Sequence, residues 1–165
     1  MEQEKSTFAP LSIRPHWMQL GINQLIYIIL CIAAYTSYLM FNTFLFRDIL
    51  LYLGLFLTLY LLYQVLYLVR MEYIITGDQI IFLHGVVNHS TDYMELYRVI
   101  DYQQQQSLMQ QMIGLKTVVI YSGDRNTPVM KLIGIKEYID IVREIRKRVE
   151  YNKTQKHIYE ITNRP

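Results

Sequence analysis

His84, His89, Asp92 and Glu95 are the residues of this chain whose types and crowding would suit a divalent metal ion. A structural zinc needs four convergent ligands. Strand alternation sends His84 and His89 to positions separated by the glycine turn at Gly85, so solvent-facing polar roles are the reading and no metal is assigned. Ser122 stands beside Gly123 and Asp124, a combination that is turn chemistry. No nucleophile elbow, phosphate-cradling glycine loop or Cys-x-x-Cys pair occurs, which leaves no catalytic set and no cofactor to propose. The single cysteine, Cys31, lies inside an apolar run and reads as a structural thiol. Leu30 before it is not the small residue that precedes a lipid-modified cysteine, and a lone cysteine excludes a disulfide within the chain.

Two further clusters bear on recognition rather than reaction. Gln103 to Gln106, with Gln110 and Gln111, offer uncharged amides that suit either a polar recognition surface or a solvated strand and its bend, and the second reading is preferred. Arg143, Arg146, Lys147 and Arg148 form a basic cluster that would touch anionic lipid, where each cation near the surface contributes about 1 kcal/mol. Glu144 and Glu150 interleave with it, so a solvated helix face is preferred to lipid contact as its role. A net charge of +2, from 16 basic and 14 acidic residues, gives no concentrated basic face and argues against a nucleic-acid partner.

The elements that must position these groups begin with two apolar runs. Leu25 to Phe46 and Ile49 to Val69 carry no formal charge and are separated only by Arg47 and Asp48. About 20 apolar residues in helical rise cross a hydrocarbon core of about 30 Å. The spacing therefore predicts a transmembrane hairpin over residues 17–69, with spans at about 20–41 and 49–69 joined by a tight turn. Residues 1–16, with Pro10 and Pro15, read as a flexible tail. Arg14, Trp17 and Arg70 are the expected anchors at the membrane interface. Lys5, Arg14 and Arg70 flank the spans against Arg47 alone in the turn, which places both termini in the cytoplasm beneath a bacterial inner membrane. The spans contain no Asp, Glu, Lys, Arg or His, and this disfavours a transporter. Tyr60, Tyr63 and Tyr67, with Gly54 and Thr58, mark either a self-association face or packing within the hairpin, the latter preferred.

From Met71 the period changes. Glu72 to Thr76 and Gln79 to His84 are β-branched and aromatic runs around a Gly-Asp turn, a β-hairpin signal. Val86 to Tyr93 reads as a third strand, Met94 to Val99 as a bend or helical turn, and Ile100 to Gln106 as a strand. Ser107 to Ile113 reads as a short helix ending at Gly114. Leu115 to Tyr121 and Val129 to Ile133 flank a loop dense in turn formers. A closing amphipathic helix is predicted from about Lys136 to Tyr151, with Ile135, Tyr138, Ile139, Val142, Ile145 and Val149 on one face. The soluble domain thus spans residues 70–151, and residues 152–165 read as a C-terminal tail.

Tyr73 to Gly85 is a Y-x-x-T-x-x-x-[IL]-x-x-x-x-G stretch, followed by LYRVI at Leu96 to Ile100 and QSLMQQMIG at Gln106 to Gly114. This order, behind two spans and ahead of a hairpin and a final helix, resembles the bacterial pleckstrin-homology (PH) domain family, most closely its membrane-anchored YdbS-like members. The matched positions are Tyr73, Thr76, Gly85, Leu96, Arg98, Ile100 and Gly114, and the likeness runs from about Ile22 to Val149. The resemblance implies an α+β membrane protein. Behind the hairpin comes a PH-like β-sandwich or partly open barrel of about seven antiparallel strands, capped by the C-terminal amphipathic helix. Eukaryotic members that grip phosphoinositides place Lys and Arg around the first strand turn, whereas Thr76, Gly77, Asp78 and Gln79 offer no cation there. The fold mostly supports interactions and hosts no common chemistry. The expected function is a non-enzymatic scaffold mediating protein contacts, in a homo-oligomer or membrane-protein complex beside the lipid bilayer. A lipid-headgroup sensor is the alternative.

Overall fold

The structure, a computed structural model, describes residues 8–40 and 44–156. Lys5, and the tail expectations for residues 1–7 and 157–165, lie outside the described residues. The chain opens with β1 (Leu11–Ile13), and then α1 (Met18–Met40) and α2 (Phe44–Arg70) form the hairpin. Both helices are long and apolar enough to cross a membrane. Only 11 % of the most apolar window of each is buried, so neither serves as a core helix of this fold. Arg47 and Asp48, expected in the turn, belong to α2, because a helix is defined by its backbone bonds and a charged pair does not end it. Gly54 lets α2 approach α1 closely: a Cβ there would stand 3.0 Å from the Tyr35 ring. The Tyr35 hydroxyl lies 3.0 Å from the Thr58 hydroxyl. The small-residue pair is spent on packing inside the hairpin.

Beyond α2 come β2 (Glu72–Ile75), β3 (Gln79–His84) and β4 (Ser90–Glu95), a single 3₁₀ turn at Leu96–Arg98, then β5 (Val99–Gln105). The short α3 (Leu108–Met112), β6 (Leu115–Ser122), β7 (Val129–Lys136) and α4 (Ile141–Gln155) complete the domain. Two antiparallel sheets result, one in the order β1-β2-β3-β4 and the other β5-β6-β7, with no closed barrel. Irregularities at Val99/Asp101 and Lys116/Val118 bend the second sheet.

Seven strands form, but one of them comes from the segment expected to be a tail. Leu11 stands opposite Ile75 and Ile13 opposite Tyr73, so β1 is an edge strand of the first sheet. Three residues are too few to carry an alternation signal, and the partner strand lies some 60 residues away.

The closing helix also begins later than the periodicity suggests. Lys136 pairs with Leu115 and keeps β7 extended, while the Asp140 side chain accepts from the Arg143 amide and caps α4. Ile135 is accordingly a strand residue in the core, and Tyr138 lies in an exposed turn. At the other end, α4 runs on through Asn152, which the sequence assigned to a tail.

Tyr73, Ile75, Ile80, Met94, Leu96, Ile120, Leu132, Ile141 and Ile145 are fully enclosed between the sheets and α4. Leu68 and Met71, at the end of α2, belong to the same cluster, as does Ile13 of β1. Helices and domain therefore share one core rather than a flexible linker.

Candidate functional site

Two contacts set how the domain sits on the helices, and a third joins its two sheets. The His16 amide donates to the Gly134 carbonyl at 2.9 Å. Gly134 adopts φ +64°, and a Cβ there would meet the Gln19 side chain at 3.0 Å, so both conformation and space demand glycine. Gln110 of α3 is buried and donates through Nε2 to Gln19 Oε1 at 3.0 Å and to the Thr117 hydroxyl at 2.9 Å. Its backbone amide and side chain also complete a capping box with Ser107. The Tyr73 hydroxyl donates to the Lys131 carbonyl at 3.1 Å and accepts from the Ile133 amide at 3.3 Å, which ties the two sheets together. Burial raises the Tyr73 phenol far above its usual range, so it is a permanent neutral donor.

Beside this junction lies a recess of about 310 Å³, walled by Leu20, Leu68 and Phe82 and edged by Asn23, Gln24, Gln64, Tyr67 and Lys131. Gln24 Oε1 is buried with no hydrogen-bond partner. Amides, the phenols of Tyr67 and Tyr73 and one ammonium provide hydrogen bonding and a single charge; no carboxylate, imidazole, thiol or aliphatic hydroxyl lines the recess. A larger groove of about 530 Å³ runs between Arg14, His16 and Trp17 on one side and Lys136, Tyr138 and Ile139 on the other.

The histidine cluster separates into two pairs. His84 Nε2 lies 3.2 Å from Asp92 Oδ2, and its other ring nitrogen is 3.4 Å from the Tyr67 hydroxyl. His89 turns instead to Arg70, 2.7 Å away. Glu95 joins neither pair, and among the described residues no group of three or more His, Cys, Asp or Glu could hold a metal.

The basic cluster does not act as a unit either. Arg143, Arg146 and Lys147 are exposed, Lys147 pairing with Glu144 at 3.2 Å. Arg148 is buried and is removed from the expected lipid-contact set. Its guanidinium donates to the carbonyls of Ile75 at 2.8 Å, Thr76 at 2.9 Å and Ala9 at 3.0 Å, and it lies over the Phe8 ring. Helical spacing puts Arg148 three residues after Ile145 on the inward stripe, which the charge-based reading overlooked. Arg146 lies 5.9 Å from the ring of Tyr102, whose phenol burial pushes up to about 12 against the opposing pull of that cation.

Of the interface anchors, Trp17 is exposed just ahead of α1 and Arg70 closes α2. Arg14 pairs with Glu72 at 3.1 Å and so helps hold β1 to β2. Gln103, Gln104 and Gln105 project into solvent from β5, the unpaired edge of its sheet, whereas Gln110 is the buried exception already described.

The order of elements and the two antiparallel sheets agree with a comparison against known families. The bacterial PH domain model matches residues 20–149, most of the chain and both apolar helices. The chain belongs to the bacterial PH domain family. No curated protein and no solved structure matches it.

In this PH domain the β2–β3 turn is closed from inside. Asn152 of α4 donates to the Gly77 carbonyl at 2.6 Å, the Leu96 amide donates to the Asp78 carbonyl at 2.8 Å, and Arg148 occupies the carbonyls just before the turn. The turn's only side-chain charge is the carboxylate of Asp78, so it lacks the cations that phosphate would need.

Near this turn, where Glu95 pairs with Gln79 and Tyr93 with Ile81, the PH domain carries a different surface. Tyr93, Ile100 and Val129 are exposed around the 123–128 loop. The Thr127 hydroxyl donates to the Tyr93 carbonyl at 2.7 Å, and the Gly123 amide donates to the Arg98 carbonyl at 3.0 Å. These two bonds bring the 123–128 loop against Tyr93 and against Arg98, two residues before Ile100. Sequence reading missed this patch because its members lie on three different strands, each ordinary by itself.

Proposed function

We propose that this chain is a non-enzymatic, membrane-anchored interaction module of the bacterial inner membrane. In this reading α1 and α2 cross the bilayer, both chain ends lie in the cytoplasm, and the PH domain makes protein contacts as a homo-oligomer or within a membrane complex. The observation that carries it is the placement of the apolar patch formed by Tyr93, Ile100 and Val129. β7 meets the start of α1 at Gly134, whereas Val129 stands at its other end, about 16 Å away at strand rise. A domain pinned to a membrane at one end presents the other to partners, and exposed apolar groups with a polar surround mark such surfaces. The neighbouring β5 edge adds unpaired backbone groups that suit strand addition.

Native mass spectrometry of the intact protein, extracted from its own membrane in mild detergent, tests this reading. The wild type is expected as an oligomer or a stable complex, and Ile100→Asp with Val129→Asp is expected to release the monomer. A wild type that is strictly monomeric and partner-free would refute it. The alternative, headgroup sensing through α4, retains only Arg143, Arg146 and Lys147. It requires the protein's affinity for anionic vesicles to fall when these three are neutralised.

A further inference from the structure

α3 is inside out. Gln110, its polar central residue, is buried against Gln19 and Thr117, while Leu108 and Met112 are 79 % and 82 % exposed and Met109 is also exposed. In water this arrangement wastes apolar surface, since long apolar side chains are normally the ones withdrawn. It is the sensible arrangement only where the medium outside α3 is itself apolar.

The location of α3 supplies that medium. Gln110 is bonded to Gln19, in the first turn of α1, which puts α3 level with the point where the first spanning helix begins. Two other turns reach the same level and behave alike. The Glu137 amide donates to the Gly114 carbonyl at 2.9 Å, joining the end of α3 to the turn that carries Tyr138, 79 % exposed. On the other flank the β3–β4 turn is tied to the last residue of α2 by the Arg70–His89 contact, and its Val87 is 83 % exposed. Trp17, next to α1, is 73 % exposed. Exposed apolar groups thus ring the ends of both helices, with Arg14, Arg70 and Lys136 among them. Aromatic and aliphatic groups interspersed with cations are what the headgroup boundary of a bilayer accommodates.

We infer that α3, with the Val87 and Tyr138 turns, is sunk into the lipid leaflet that α1 and α2 enter, so that the PH domain lies partly in the membrane interface rather than above it on a stalk. The occupant of this apolar face is lipid, because the face is continuous with the lipid-facing surfaces of the two helices. This inference rests on the proposed spanning role of α1 and α2, and the experiment separates the two.

Full-length protein in a Cys31→Ser background, with single cysteines at Val87, Leu108, Met112, Asp78 or Phe56, is labelled with a polarity-sensitive fluorophore. Each is reconstituted into phosphatidylcholine–phosphatidylglycerol vesicles. All five positions are exposed, so labelling leaves the core intact. Labels at Val87, Leu108 and Met112 are expected to be blue-shifted, quenched by spin-labelled lipid and several-fold less sensitive to aqueous iodide than the label at Asp78, in the turn at the far end of β2 from α2. Equal iodide quenching at Leu108, Met112 and Asp78, with Phe56 protected, overturns the inference and leaves the spanning reading standing. Iodide quenching at Phe56 overturns both.

Discussion

Replacing Arg148 by Met should damage the PH domain far more than the same change two residues earlier, at Arg146. The Met side chain keeps most of the buried stem and removes the guanidinium, which donates to the carbonyls of Ile75, Thr76 and Ala9. A hydrogen bond to a charged group is worth about 1.5–3 kcal/mol net, and a buried acceptor left unsatisfied costs about 1–3 kcal/mol. The three bonds share one donor and do not add, and the carbonyls of Thr76 and Ala9 lie where water reaches them in part. The Ile75 bond is fully buried. A loss of about 3–5 kcal/mol follows, a large share of the roughly 5–15 kcal/mol that holds a domain together. For a domain of this size each kcal/mol moves Tm by about 4–8 °C, so the fall should be at least about 12 °C. Arg146 is exposed and donates no comparable bond, so Arg146→Met should stay within about 0.5 kcal/mol of wild type. Thermal unfolding of the full chain in detergent, followed by the β-sheet circular-dichroism signal, reads both variants. Equal melting of Arg148→Met and Arg146→Met would refute the assignment of Arg148 to the interior.

Gly134→Ala should loosen the seam between domain and helices, because it forces a side chain into the left-handed region and against Gln19. A cost of about 1–3 kcal/mol is expected, read as faster amide exchange at His16 and along β7. Glu72 should make the β1–β2 pairing acid-sensitive. The Ser12 hydroxyl and then Arg14 hold its carboxyl below the ordinary 4.5 despite some burial. A lowered folded-state value means stability that is complete above the unfolded value and is lost as pH falls through the folded one. Glu72→Gln should therefore melt below wild type at neutral pH, with the gap closing below about pH 4.5; a gap independent of pH would contradict this.

Much of the architecture is legible in residue order alone. The two apolar runs, the Gly-Asp hairpin and the helix stop at Gly114 are local signals, each set by a few neighbouring residues, and the structure places them within a few positions of expectation. What was illegible depends on partners distant in sequence. β1 is a strand because Ile75 and Tyr73 lie beside it, not because of anything in Leu-Ser-Ile. Arg148 looks like its neighbours Arg146 and Lys147 until the carbonyls that receive it are known. The apolar groups of α3 read only as part of a short helix, since a sequence gives the stripe but not which side of it faces the protein.

The clasp of β1 on β2 has a consequence for how the molecule is made. Ile75 leaves the ribosome only after both helices, so the first sheet lacks its edge until α1 and α2 have been synthesised. Biogenesis is therefore ordered: the N-terminal segment is made first and waits to zip onto a strand synthesised afterwards. A nascent chain in which α1 and α2 failed to pair would hold Leu11 and Ile75 apart and leave the first sheet open at that edge.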